Sequence, residues 1–286
     1  MPARKAVEGQ AKTNAYSDID LNNWKDYPEV ETGSLWLFSK RDKGETHVGD
    51  YHGNFIPQLP QQLLKRYTKQ GEVVLDLFNG MGTTLIECRR MGRHGIGVEL
   101  LGHVAEAAEA RIQGAQNPDG VETQVLVGDS AAASTVDRVR EALTRFDKKH
   151  ADLAILHPPY GDIISFSNGE RPEDLSNVET DDEFIARFEP VIANAFELLA
   201  PGRFMALVIG DKYAGGQWVP LGFMCMQAAM KVGFTLKSIV VKDINGNEKG
   251  KGKNGNLWRY RALAQGYYVF KHEYVFIFQK PKRRGK

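Results

Sequence analysis

The feature that most limits what this chain can become is an alternation. Short apolar runs of β type take turns with segments of helical period along most of its length. The strand-type runs are Glu72 to Asp76, Gly95 to Glu99, Thr123 to Val127, Asp152 to Leu156, Phe204 to Ile209, Leu236 to Lys242 and Tyr274 to Gln279. Helical patterns lie between them at Gln58 to Gln70, Thr83 to Met91, His103 to Gln113, Val136 to Lys148, Asp181 to Leu199 and Leu221 to Val232. Parallel neighbours need a long crossover, and a helical crossover packs back onto the sheet, so this alternation predicts a mostly parallel α/β sheet covered on both faces. The last two strands are joined by a polar stretch with no evident helix, so they are expected to close the seven-stranded sheet as an antiparallel hairpin. Residues 1 to 33 are polar and lack periodic apolar positions, which reads as a loosely ordered arm. The remainder, 34 to 286, reads as a single domain.

An open α/β sheet binds its ligand outside the carboxyl ends of its strands. The first such end here is Val73-Val-Leu-Asp-Leu-Phe-Asn-Gly-Met-Gly-Thr-Thr84, a strand, an acid, a glycine turn and the start of a helix. Gly80 and Gly82 let backbone approach a ligand closely. The pattern is neither GxGxxG nor followed by GK[ST], which disfavours a phosphate-gripping loop. Gly95-Ile-Gly-Val-Glu99 then places a carboxylate where it can accept both ribose hydroxyls of a nucleoside cofactor. The third strand ends Val127-Gly-Asp129-Ser130, where Asp129 suits an adenine amino group.

The fourth strand runs into His157-Pro-Pro-Tyr-Gly161. Pro158 and Pro159 fix a rigid turn whose carbonyls no ladder uses. An aromatic amine is a poor nucleophile, because its lone pair is conjugated into the ring. Acceptors that draw the NH2 out of the plane localise that pair, and the Pro158 carbonyl and the side chain at 157 are placed to do so. Tyr160 can stack on the base face once the nucleotide has left the helix. Neither a metal nor a covalent nucleophile is required.

Asp76 to Thr84 together with His157 to Tyr160 resembles the DNA amino-methyltransferases that modify adenine N6 or cytosine N4. Leu75 to Glu87 with Gly92 to Glu99 is similar to their cofactor motif, His52 to Pro60 to the segment that closes over the methionine end, and Lys271 to Phe278 to their final strand. The resemblance implies a Rossmann-like class I methyltransferase with the cofactor motif before the catalytic one. It implies S-adenosyl-L-methionine held by Phe55, Pro57, Asp76, Phe78, Asn79, Gly80, Gly82, Thr83, Thr84, Glu99, Leu100, Asp129 and Ser130. It further implies DNA as substrate, with adenine N6 placed ahead of cytosine N4 on general abundance. Residue 157 is His where the resemblance leads one to expect Asp, Asn or Ser. A neutral imidazole nitrogen accepts a hydrogen bond and a protonated ring only donates, so the chemical step is expected to weaken as pH falls through roughly 6.5.

Net charge is +1, so any nucleic-acid surface must come from distribution. Lys249, Lys251, Lys253, Arg259 and Arg261, with Trp258 and Tyr260 among them, combine phosphate-seeking charge with stacking rings, making 243 to 266 the first expected recognition loop. Residues 162 to 180 are the second, read as a lid. Little chain is left for a separate recognition domain, so a homodimer or accessory subunit is an expected helper. A tRNA guanine-N2 type RNA methyltransferase and an inactive nucleic-acid-binding partner are the competing readings. Cys88 and Cys225 lie in apolar helical stretches and read as core thiols. With no leader and no apolar run near the roughly 20 residues of a membrane span, the expected location is cytoplasmic.

Overall fold

The computed structural model describes residues 14–44, 46–51, 53–244 and 255–282. In chain order the elements are β1 (Leu35–Trp36), α1 (Gln58–Tyr67), β2 (Val73–Asp76), α2 (Thr83–Arg90), β3 (His94–Glu99), α3 (Gly102–Gly114), β4 (Thr123–Val127), α4 (Ala133–Thr144) and β5 (Ala151–Leu156). After two short 3-10 turns come α5 (Asp181–Leu198), β6 (Leu199–Ile209), β7 (Lys212–Ala214), β8 (Gln217–Val219), α6 (Leu221–Val232), β9 (Thr235–Asp243), α7 (Gly255–Gln265) and β10 (His272–Gln279).

The main sheet runs β1-β9-β10-β6-β5-β2-β3-β4 and has eight strands, one more than the sequence pattern predicts. The addition is β1, where Leu35 and Trp36 pair in parallel with Val241 and Lys242. Two residues are too few to show a period, and the strand is fixed by the burial of Trp36, 3% exposed, on the core. As expected, β10 runs antiparallel to β9, and it also lies antiparallel to β6, into whose edge it inserts. A second correction concerns the connection between them. It contains α7, because the run from Leu257 to Ala264 is made of good helix formers once the Gly, Asn and Lys bias before it ends. β7 and β8 form a small separate hairpin directly after β6.

All six residues of β5 are buried, as a central parallel strand covered on both faces requires. Its residues alternate between two cores. Ala154 and Leu156 pack with α4, α5 and α6, while Leu153 and Ile155 pack with Leu59, Leu63 and Leu64 of α1. Chain order reverses at β2, which sits between β5 and β3, and this opens a crevice at the carboxyl ends of those strands.

The segment read as a loose arm and the one read as a lid both make contacts of their own. From residue 14 onward the arm is tied to the body. Tyr16 meets Phe204 edge-on at 4.9 Å and Asp18 pairs with Arg93 at 2.6 Å. Lys65 of α1 reaches Glu29 at 3.0 Å. Residues 162 to 180 carry their own network, in which the Asp174 carboxylate accepts from the Ser167 and Ser176 amides and Asn177 donates to Ser167 Oγ. Asp174 is 3% exposed, so that network is shielded from competing water. No helix among the described residues is long and apolar enough to cross a membrane.

Gly82 shows how tightly the frame closes on the site. It caps α2 with φ of 82°, and a Cβ there would come within 2.7 Å of Ile112 Cδ1 in α3. We expect Gly82→Ala to destabilise the fold by about 2 kcal/mol through left-handed strain and overpacking, read as a lower urea midpoint with an unchanged slope. A midpoint equal to the wild type would show that α2 and α3 separate freely.

Candidate active site

The turn after β2 is built from below by Asp76. Its side chain, 1% exposed, accepts from the Phe78 amide at 2.9 Å, and burial pushes its carboxyl up to about 6. The Asn79 side chain lies flat on β3, where a Cβ on Gly97 would stand 2.4 Å from its Oδ1, so only glycine at 97 admits it. Glu99 ties the turn to the end of β3. One carboxylate oxygen accepts from the Gly80 amide and the other from the Leu101 amide, both at 2.9 Å. Burial pushes its carboxyl up and these amides oppose that. At the end of β4, Asp129 Oδ1 accepts from the Ala131 amide, and the Ser130 hydroxyl donates to the Leu77 carbonyl at 2.6 Å. Ser130 therefore locks β4 to the β2 turn.

The second half of the site is the turn after β5. His157 and Tyr160 are half-buried, and Phe55 stacks obliquely on the imidazole with ring centroids 5.0 Å apart. His157 Nε2 lies 3.1 Å from Tyr160 Oη, which donates to Glu273 Oε2 at 2.7 Å. Glu273 Oε1 pairs with Lys242 Nζ at 2.8 Å. Lys242, 1% exposed, also donates to the Asp243 carbonyl. Burial lowers His157 to about 4, Glu273 opposing and Lys242 reinforcing the shift. Burial also raises the Tyr160 phenol well above its usual value, helped by Glu273.

One cavity of about 980 Å³ joins the two halves. Of the residues the sequence marks, Phe55, Phe78, Asn79, Gly80, Thr83, Glu99, Leu100, Asp129, Ser130 and His157 to Tyr160 line it. Pro57, Asp76, Gly82 and Thr84 do not. Asp76 and Thr84 are buried beneath the turn, Gly82 faces Ile112, and Pro57 starts α1. Sequence reading missed Tyr51, Phe166, Asp174, Lys242 and Glu273 in the lining. Lys242 and Glu273 stand at the ends of the apolar runs 239–241 and 274–278, where a charge is expected to reach solvent, so no local signal marks them as buried. Of the marked basic residues, Lys249, Lys251 and Lys253 lie outside the described residues. Trp258 is in α7, and Arg259 and Arg261 are exposed on it.

The donor set fits a nucleoside methyl donor. Carboxylates stand at two adjacent strand ends, and Gly80 leaves a bare cradle whose Cβ would face Asn54 Oδ1 at 3.7 Å and Tyr51 at 3.8 Å. The pH expectation changes. An imidazole lowered to about 4 stays neutral, and so remains an acceptor, through the range where a free one would protonate. We therefore expect a single-turnover rate, measured at saturating cofactor, that is flat from pH 8 to about 5 and falls only toward 4, in place of the loss near 6.5. A half-point near 6.5 would mean that the His157 ring is hydrated. Saturation is needed because Asp76, near 6, titrates under the cofactor turn within this window.

A glycine turn and two carboxylates at the switch point of a parallel sheet, facing a Pro-Pro turn across one cavity, are the arrangement of a class I, Rossmann-like methyltransferase. The chain belongs to the DNA methylase family N6_N4_Mtase, whose profile matches residues 5–110 and 151–285. S-adenosyl-L-methionine is the cofactor of that class, and the donor set above accommodates it. Among individual proteins, the chain is similar to the type II methyltransferase M.MjaII of Methanocaldococcus jannaschii, 38% identical over 74 residues, 26% of this chain and 14% of that protein. It is also similar to the type II methyltransferase M2.DpnII of Streptococcus pneumoniae, 34% identical over 116 residues, 38% of this chain and 40% of that protein. The matches thus span well under two thirds of both relatives. Among solved structures, TrmN of Thermus thermophilus aligns at a TM-score of 0.45 and 18% identity, covering 81% of this chain and 51% of that one. A TehB-like SAM-dependent methyltransferase of Corynebacterium glutamicum aligns at 0.40 and 18%, covering 74% and 81%.

Proposed function

We propose that this protein transfers a methyl group from S-adenosylmethionine to the exocyclic amino group of a flipped-out DNA base, adenine N6 ahead of cytosine N4. The observation that carries the reading is that one cavity is lined both by Glu99 and Asp129 and by the His157–Tyr160 turn. At about 980 Å³ it is at the top of the ~300–1,000 Å³ range of ligand sites, enough for a nucleoside cofactor and a base side by side. When bound, the cofactor supplies a methyl group on a cationic sulfur, which keeps the electron pair of the broken carbon–sulfur bond. The chain's own part is positioning. Glu99 takes the ribose hydroxyls, Asp129 the adenine amine, and the glycine turn leaves room for the rest. His157 and the Pro158 carbonyl accept from the target NH2, localise its lone pair, and hold it toward the methyl carbon; the surplus proton leaves to solvent.

The surface that meets the strand is proposed to be the rim formed by α7 and the β7–β8 hairpin. Arg259 and Arg261 lie there, with ring pairs Tyr213–Tyr267 at 4.5 Å and Trp218–Phe270 at 4.1 Å. Stacking rings beside basic groups suit an unpaired strand. A second copy or an accessory subunit is the proposed source of further recognition.

The test is transfer of labelled methyl to duplex DNA and, in parallel, to total tRNA, followed by nucleoside mass spectrometry. N6-methyladenine in the DNA is the expected product, and N4-methylcytosine would correct the base. Label in tRNA alone would replace the reading with an RNA methyltransferase. Bound cofactor with no label would leave an inactive nucleic-acid-binding partner.

A further inference from the structure

Two charged side chains sit inside the sheet at the cavity wall and have no role in the transfer described above. Lys242 and Glu273 face each other across the β9–β10 pair, in register, and are 1% and 9% exposed. A buried ion pair contributes little to stability compared with an apolar pair of the same size, so its presence beside the catalytic turn calls for another reason. The hydrogen-bond directions supply one. Glu273 is flanked by Lys242 Nζ at 2.8 Å and by Tyr160 Oη at 2.7 Å, and although burial would raise its carboxyl, Lys242 leads the groups that bring it below the usual range. A carboxylate has no proton to give, so the single phenolic hydrogen of Tyr160 must point to Glu273. The phenolic oxygen is then left only with lone pairs toward His157. The contact at 3.1 Å can form only if Nε2 carries the hydrogen. A neutral imidazole has one such hydrogen, and Nδ1 therefore has none.

We infer that Lys242, Glu273 and Tyr160 form a directional chain that fixes His157 in the Nε2–H tautomer and thereby makes Nδ1 the acceptor offered to the target amine. This rests on the proposed function for its purpose, though not for its geometry. Among the described residues the protein engages Nε2 and leaves Nδ1 unengaged, while the ring itself lines the cavity. The arrangement also accounts for a histidine at this turn. A side-chain amide or carboxylate brings an acceptor with it, whereas an imidazole is an acceptor at a given nitrogen only when something holds its proton on the other. Glu273 and Lys242 are positioning residues in this scheme, since neither touches the reacting atoms. Tyr160 does both jobs, and Gly210 leaves space for its ring: a Cβ there would lie 3.0 Å from Tyr160 Cε2.

The test uses the full chain labelled with 15N-histidine and two-bond proton–nitrogen correlation spectra, with the His157 signals assigned through His157→Asn. The expected result is a neutral His157 protonated at Nε2 and bare at Nδ1 from pH 8 to about 5. Tyr160→Phe keeps the ring and removes the oxygen, so His157 becomes a mixture of both tautomers. Glu273→Gln, combined with Lys242→Met so that no charge is stranded, shifts the same signals while circular dichroism stays unchanged. In methyl transfer these variants lose roughly 10- to 100-fold in kcat, the range known for groups that orient metal-ligating imidazoles, with cofactor affinity kept within about twofold. A wild-type ring protonated at Nδ1, or an Nε2–H tautomer that persists in both Tyr160→Phe and the double variant, overturns the inference. The spectra need no substrate. The expected tautomer in a protein that methylates no DNA would leave the inference standing and remove the proposed function instead.

Discussion

Replacing His157 with leucine is expected to lower the single-turnover rate of methyl transfer by about 10²- to 10³-fold, the effect of deleting one preorganised polar group aimed at developing charge. The target nitrogen becomes more positive as its lone pair leaves the ring, and an acceptor held in place before the reaction stabilises that change without reorganising. Leucine keeps the volume against Phe55, whose ring centroid lies 5.0 Å from the imidazole, and takes away both nitrogens. Cofactor affinity should remain within about twofold, because the glycine turn and Glu99 lie at the ends of β2 and β3, apart from the turn after β5. His157→Asn restores an acceptor and should recover most of the rate. If leucine proves as active as histidine, the Pro158 carbonyl serves the amine alone and the histidine only braces Tyr160.

Glu99→Ala is expected to weaken S-adenosylmethionine binding by roughly 100-fold in calorimetry. Each hydrogen bond to a charged acceptor is worth about 1.5–3 kcal/mol, and the proposed function brings two ribose hydroxyls to this carboxylate, so losing about 3 kcal/mol corresponds to that factor. The same oxygens hold the Gly80 and Leu101 amides, and the variant should also unfold at lower temperature. Glu99→Gln separates the two effects. It retains an acceptor for one amide and is expected to lose about tenfold in affinity with little change in melting. An unchanged Kd in a folded Glu99→Ala protein would place the ribose elsewhere in the cavity.

The two halves of the site differ in how far the chain's letters reveal them. The cofactor half is local. An acid, two glycines and a helix start lie within nine residues from Asp76 to Thr84, and the next two strand ends contribute one acid each, Glu99 and Asp129. Such a turn is legible in the sequence because the backbone conformations it needs, such as φ of 49° at Gly80, are permitted to few residue types. Even so, its glycines are not interchangeable. Gly80 faces the cavity and Gly82 faces Ile112, and the spacing alone does not tell them apart. Nor are its acids: Glu99 and Asp129 reach the cavity, while Asp76 supports the turn from beneath.

The sequence by itself determined the alternating order of the main strands and helices, the antiparallel close, the glycine turn and the His-Pro-Pro-Tyr turn, because each depends on periodicity or on residues with few conformational options. It also carried the family resemblance. Only the tertiary structure decided that β1 joins the sheet, that α7 forms beyond the polar run, and that the 162–180 segment walls the cavity through Asp174. It alone decided the state of His157. An isolated histidine protonates near 6.5, and this one is held neutral to about 4 by burial, its proton directed by Glu273, which is 113 residues beyond Tyr160 in the chain. The physical reason is the same in each case. Desolvation and hydrogen-bond direction depend on what surrounds a group in space, and neighbours brought from distant strands leave no period in the chain to mark them.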